Sequence, residues 1–227
     1  KAVLWELIED ARKENQHFCM LGVCSNMRAD LEAILPEQFT FTEDRDYADY
    51  IYLRSDLSTL KGKKFQAKRN HNTYPDYEYT PITPDRIQEC LDLEAEWCKV
   101  NNCDQQEGTG NERRALIYAL HNFEALGLTG GILHVNGKIV AFTFGMPINH
   151  ETFGVHVEKA DTNIEGAYAM INYEFANRIP EQYIYINREE DLGLEGLRKA
   201  KLSYQPVTIL EKYMACLKEH PMNMVKW

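Results

Sequence analysis

The stretch NREEDLGLEGLRKAKLSYQP, Asn187 to Pro206, packs two amides, two arginines, two lysines and four acids into twenty residues. An apolar run, YIYI (Tyr183 to Ile186), leads into it and reads as a buried strand opening onto charge. Asn187 and Arg188 at such a strand tip could hold a ligand, and an arginine suits phosphate or carboxylate. Glu189, Glu190 and Asp191 follow. One carboxylate beside an acceptor amine can hold it as a cation or take its proton. A plainer reading makes Asp191 a helix cap and leaves Glu189 and Glu190 in water.

A second place is KADTNIEGAYAM, Lys159 to Met170, where a strand ends and a helix is expected from about Glu165. The first N–H groups of a helix are unpaired and carry partial positive charge, so a pyrophosphate can sit there. Gly166 and Ala167 are small enough to permit that approach, or are simply small for packing. A third is basic: Lys61, Lys64 and Lys68 fall at helical spacing, with Arg69 and His71 beyond. In a chain of net charge −10, that cluster either receives a phosphate-rich ligand or is a solvated basic face. His134 and His156 lie in expected strands and either face a cleft or, as the plainer reading has it, are packed or hydrogen-bonded. The sequence has no GxSxG elbow, HExxH, Walker loop, CxxC pair or zinc spacing, so no metal is expected.

The elements that must position these groups follow from periodicity. The 227 residues allow one large domain or two small ones. The acidic balance, with a pI near 5.2, weighs against a general nucleic-acid binder. No apolar run approaches the roughly 18 residues of a membrane helix. The cysteines, Cys19, Cys24, Cys90, Cys98, Cys103 and Cys216, are expected to be reduced in a cytoplasmic protein. Helices are expected over 2–15, 28–35, 85–101, 111–127 and 166–179, and 56–74 reads as basic and partly helical. Strands are expected at 17–23 (buried), 39–44, 49–55 and 152–160. A hairpin turns at Asn136-Gly137. Helix, short strand, polar loop and helix occur in that order at 2–35 and again at 167–201. This echo suggests a duplicated unit whose first copy is cut short, with early strands expected before Lys1. The division expected is 1–80 and 81–227, each a mixed α/β (α+β) layer structure.

Four segments carry a family resemblance: GKKFQAKRNHNTY, GGILHVNGKIVAFTFG, EKADTNIEGAYAMINYEFA and the opening stretch. They resemble the phosphatidylglycerol lysyltransferase C-terminal-domain family, related to Fem-type peptidyltransferases within the GNAT (N-acyltransferase) superfamily. The resemblance implies a tandem GNAT fold and transfer of an acyl or aminoacyl group. The donor it implies is acyl-CoA, or alternatively an aminoacyl-tRNA serving a lipid or peptide acceptor, with tRNA less favoured here. A ligand-binding module without catalysis is the third reading. Donor-binding residues implied are Asn163, Gly166, Ala167, Tyr168, Arg188, Lys64, Lys68 and Arg69; catalytic ones are Asn187, Glu189, Asp191 and Lys199. The GNAT signature, Gln or Arg, two residues, Gly, one residue, Gly or Ala, finds Asn163 first and Tyr168 last. The closing pattern Leu-Tyr-x-Lys-Leu-Gly-Phe, set on KLSY, puts Lys199 where its proton-donating tyrosine would stand. Tyr204 is read as packed, its hydroxyl at the edge.

Overall fold

The computed structural model describes residues 1–70, 77–101 and 107–218. Its contacts group the chain into two units made of interleaved segments rather than two consecutive halves meeting at residue 80. Unit 1 comprises 1–50, 190–199 and 209–227, and unit 2 comprises 51–189 and 200–208.

In unit 1, α1 (Ala2–Lys13) precedes β1 (Cys19–Cys24), α2 (Ser25–Ile34) and β2 (Phe39–Glu43). The late strand β10 (Lys212–Leu217) lies between β1 and β2, antiparallel to both. Ile8, Val23, Leu31, Leu35, Phe39 and Ala215 form its core. Two expectations are corrected here. The strand at 17–23 is an edge strand, and Val23 alone within β1 is buried, because β1 has β10 as its neighbour on one side only. The cysteines are not all reduced. Cys19 sits opposite Cys216 in the β1–β10 register, and the two form a disulfide across 197 residues. Cys98 is disulfide-bonded as well, while Cys24 and Cys90 are free.

Unit 2 is built on a seven-stranded mixed sheet ordered β4-β5-β6-β7-β8-β3-β9. These strands are β3 (Asp49–Leu53), β4 (Tyr77–Pro81), β5 (Thr129–Val135), β6 (Lys138–Pro147), β7 (Thr152–Ala160), β8 (Tyr185–Asn187) and β9 (Thr208–Leu210). The β5–β6 hairpin turns where expected: Asn136 and Gly137 both take positive φ, 52° and 74°, as a type I′ turn requires. The middle strand is β7 rather than the hairpin, because β3 and β4, both beginning before residue 81, extend the sheet on opposite sides. Helices cover both faces. On one, α5 (Ile87–Asn101) and α6 (Glu107–His121) bring Cys90, Leu93, Leu116 and Leu120 onto Ile132, Phe142 and Phe144. On the other, α7 (Ala167–Arg178) sets Ala167, Met170 and Ile171 against Leu133, Ala141 and Ala160.

The basic segment does not make the expected helical face. α3 (Arg54–Thr59) ends before it, and Lys61 precedes a short 3-10 turn, Lys63–Phe65. The five-residue α4 (Gln66–Asn70) then carries Lys68. Gly62, at φ 94°, breaks the helical path, so Lys61, Lys64 and Lys68 share no single stripe. His71 lies outside the described residues. α8 (Glu195–Leu202) completes the helices.

Candidate active site

The chemistry gathers where two parallel strands part. β8 pairs with β7 over three positions only, Tyr185 to Asn187 against Thr152 to Gly154. β7 then continues to Ala160, while β8 stops. The reason is local: the Asn187 side-chain oxygen accepts the Glu189 N–H at 2.7 Å, and Glu189 takes φ 56°, which turns the chain out of the sheet. From α8, the Lys201 ammonium donates to the carbonyls of Arg188 (2.5 Å) and Glu189 (3.2 Å) and pins this tip. Asn187 itself is 6% exposed.

The β6–β7 register shifts between Phe144 and Gly145, which leaves His156 as the extra residue of a bulge in β7. Val157 faces the α5–α6 core, so Glu158 points the other way, toward α7. Asn172 of α7 confirms it by donating to Glu158 at 3.3 Å. Arg188 crosses from the tip to Glu158, one guanidinium nitrogen reaching both carboxylate oxygens at 2.9 and 3.2 Å. The pair is nearly enclosed, with side chains 10% and 13% exposed. The guanidinium rests 4.8 Å from the centre of the Tyr204 ring, and the Lys68 ammonium lies 4.2 Å from that same centre. Burial pushes the Tyr204 phenol up to about 12, against the pull of Arg188, so it stays protonated. Burial, and then the Arg188 charge, lower Lys68 from the ordinary lysine range.

Beside this pair stands another. The His156 Nδ1 lies 2.6 Å from the Glu189 carboxylate. The opposite ring nitrogen, Nε2, is buried and has no hydrogen-bond partner among the described residues. The second terminal nitrogen of Arg188 and the side-chain oxygen of Asn172 are in the same condition. Three unsatisfied buried polar atoms beside two carboxylates, Glu158 and Glu189, are costly in a finished core and call for an explanation.

The sequence pattern of the family described as phosphatidylglycerol lysyltransferase, C-terminal, matches residues 1–216. This chain belongs to that family. A crystal structure of a conserved protein of unknown function from Bacteroides thetaiotaomicron is 92% identical, with a TM-score of 0.92 over 96% of this chain and 75% of the other. The C-terminal domain of a putative lysylphosphatidylglycerol synthetase from Agrobacterium fabrum shares the fold at 13% identity, with a TM-score of 0.70 over 93% of this chain and 71% of that one. A GCN5-related N-acetyltransferase from Kribbella flavida shares it at 9% identity and a TM-score of 0.51, over 96% and 74%. The fold is therefore GNAT. An uncharacterized protein of Mycoplasmoides gallisepticum is 24% identical over 177 residues, 73% of this chain. The chain spans about half, 55%, of the length of that curated relative.

In this family member the residues singled out from sequence separate into groups. Asn187, Arg188, Glu189 and Lys68 come together at the split. Asp191 and Lys199 belong to unit 1. Asp191 is fully buried and takes donations from the Tyr50 hydroxyl, Arg198 and the Gly193 N–H, so its oxygens are committed to structure. Lys199 is exposed on α8. Lys64 pairs with Asp56 at 2.8 Å, and Arg69 donates to the carbonyls of Leu60 and Gly62, so both close their own loop.

The turn before α7 is also largely self-satisfied. The N–H groups of Asn163, Ile164 and Ala167 bond to the Asp161 carboxylate, the Asp161 carbonyl and the Ile164 carbonyl. Gly166 caps α7 with φ 82°, and the Tyr168 hydroxyl accepts the Trp97 indole N–H at 3.0 Å. From sequence, His156 stood out only as a strand histidine that either faces a cleft or is packed, and Glu158 and Asn172 did not stand out at all. The available signal was VHVE, polar side chains at alternate positions of an otherwise apolar strand. Among the described residues, His17, Cys19 and Cys216 are close enough to share an ion, but the disulfide occupies both sulfurs. A surface hollow in unit 1, lined by Ile8, Arg12, Phe18 and Gln38 among others, gathers none of the residues singled out.

Proposed function

We propose that this chain transfers an aminoacyl group from an activated ester to a hydroxyl or amine acceptor, at the point where β7 and β8 part. The observation that carries this reading is the His156–Glu189 pair. Its carboxylate is 2.6 Å from Nδ1, and the opposite nitrogen is buried without a partner. A carboxylate in that position holds the imidazole with its proton on Nδ1, leaving Nε2 to accept one. The acceptor group is a weak nucleophile until its proton is removed, and Nε2 takes that proton as the bond to the donor carbonyl forms. Collapse of the tetrahedral intermediate then breaks the bond to the donor oxygen, which takes the proton back from Nε2 and leaves as the free alcohol.

The family's own name describes lysyl transfer to phosphatidylglycerol, which supports the aminoacyl form of the reading. The turn at 161–167 favours it over acyl-CoA, since three of its amides are already bonded within the turn. Lys199, at the position of the usual thiolate-protonating tyrosine, is exposed.

The test supplies lysyl-tRNA and, in parallel, acetyl-CoA, with glycerol-headgroup lipids and simple amines as acceptors. Transfer from the ester donor is expected, and His156→Gln should slow it by roughly a hundredfold or more without lowering the melting temperature by more than a few degrees. Transfer unchanged in His156→Gln would remove His156 from the mechanism. Failure of both donors would leave a ligand-binding module of this fold.

A further inference from the structure

We propose that Cys19 and Cys216, once their disulfide is reduced, form with His17 a binding site for a zinc-like divalent cation. The three residues all belong to unit 1, so the site stands or falls apart from the transferase reading.

The strand pairing sets the ligands. Cys19 and Cys216 face each other in the β1–β10 register, and just beyond them the Leu217 N–H donates to the Phe18 carbonyl at 2.9 Å. The two cysteines are therefore opposed without bonding each other's backbone, the position at which cross-strand side chains stand closest. Alternation chooses the face. Tyr213, Ala215 and Leu217 of β10 pack on the unit 1 core, as do Phe18 and Met20, so Cys216, Cys19 and His17 lie on the opposite face of the sheet. A ring nitrogen of His17 and the two sulfurs are within 4.8 Å of one another. His17 and Cys19 are exposed and Cys216 is half-buried, which gives an ion a way in.

Reduction leaves the frame standing. β10 is paired with β2 as well as with β1, so its place in the sheet does not depend on the disulfide. Two molecules of a small thiol supply two electrons and two protons and are joined as their own disulfide, while the Cys19–Cys216 bond breaks to give two thiols. The cation then displaces the thiol protons into water. Zinc holds sulfur at about 2.3 Å in a tetrahedron, which sets its two sulfurs about 3.8 Å apart. Rotation about the two Cα–Cβ bonds opens the pair that far. Two thiolates select a soft cation, the imidazole suits zinc, and the cluster has no carboxylate to favour magnesium or calcium. Three protein ligands leave the fourth position to water. The ion would join β1 to β10 in a reducing medium as the disulfide does in an oxidising one.

The test titrates the whole chain with cobalt(II), whose thiolate charge-transfer band reports sulfur ligation. It is run before and after reduction by dithiothreitol, which is then removed without oxygen. The oxidised chain, in which Cys24 and Cys90 are already free, should show no band. The reduced chain should show one that saturates at one equivalent and that zinc abolishes. Reduced Cys19→Ser, in which Cys98 is released as well, should show none. His17→Gln should weaken cobalt roughly tenfold or more. Zinc should raise the melting temperature of the reduced wild type and leave that of Cys19→Ser unchanged. A reduced wild type without the band, an equal band in the oxidised chain or in Cys19→Ser, or equal affinity in His17→Gln overturns the proposal. Should Cys19→Ser fail to fold, His17→Gln decides alone.

Discussion

Replacing Asp191 by asparagine tests whether this residue is structural. Asp191 is fully buried and accepts the Tyr50 hydroxyl at 2.5 Å, Arg198 at 2.8 and 2.7 Å, and the Gly193 N–H at 3.0 Å. An amide nitrogen in place of one oxygen would set donor against donor, facing Tyr50 and one arm of Arg198. Removing one partner of a buried ion pair costs roughly 3–5 kcal/mol. Arg198 is 32% exposed and also bonds Asp46, so water and Asp46 recover part of that cost. A loss of about 3 kcal/mol is expected, which lowers the urea midpoint by about 1 M or more at ordinary slopes. The pH dependence supplies a second reading. Arg198 first, then Tyr50 and the Gly193 N–H, outweigh burial and hold the Asp191 carboxyl well below the usual carboxylate range. Its folded pKa is thus below the unfolded one, so its stabilisation is present above about pH 4 and drains away as the pH falls. Asparagine does not titrate. The gap between wild type and variant should therefore narrow by about 1 kcal/mol between pH 5 and pH 3. Urea unfolding followed by circular dichroism at both pH values measures this. A gap under about 1 kcal/mol at pH 7, or one that does not narrow with acid, would refute the reasoning and return Asp191 to the catalytic candidates.

Two further outcomes are expected. Alkylation of native protein without reductant should label Cys24, which is free and partly exposed, and spare Cys19 and Cys216; labelling of either bridged residue would disprove the disulfide. Gly166→Val should lower stability by about 2 kcal/mol, because Gly166 sits at φ 82° where a β-branched residue is strained, whereas Gly166→Asn should cost about half as much or less. Equal melting temperatures for the two variants would contradict that backbone assignment.

The sequence was most legible where a local rule was sufficient. Asn136-Gly137 announced its hairpin because turn chemistry is local, and the NREED stretch marked the end of β8 because an apolar run met polar residues. The pairings behind the site are not local. His156 meets Glu189 across 33 positions, Tyr50 meets Asp191 across 141, and Cys19 meets Cys216 across 197, and no spacing rule reaches that far. A helical count along Lys61, Lys64 and Lys68 assumed an unbroken helix and overlooked Gly62. Asp191 and Glu189 are two positions apart and chemically alike in the sequence, yet one is locked in a network and the other orients a histidine. Packing from elsewhere in the chain made that difference.

The place of β3 in the sheet has a consequence for how the chain is made. Ile51 pairs with Asn187, so β3 has no β8 beside it until 136 further residues have been synthesised. At roughly 5–20 residues per second, that is a delay of about 7–27 s on a ribosome. Throughout it, the apolar strand DYIYL is without this partner. In the nascent chain Asp49–Leu53 therefore stays without β8 beside it until the strand tip that bears the candidate site has been made. On this account, the region that brings His156, Arg188 and Glu189 together is also among the last to form.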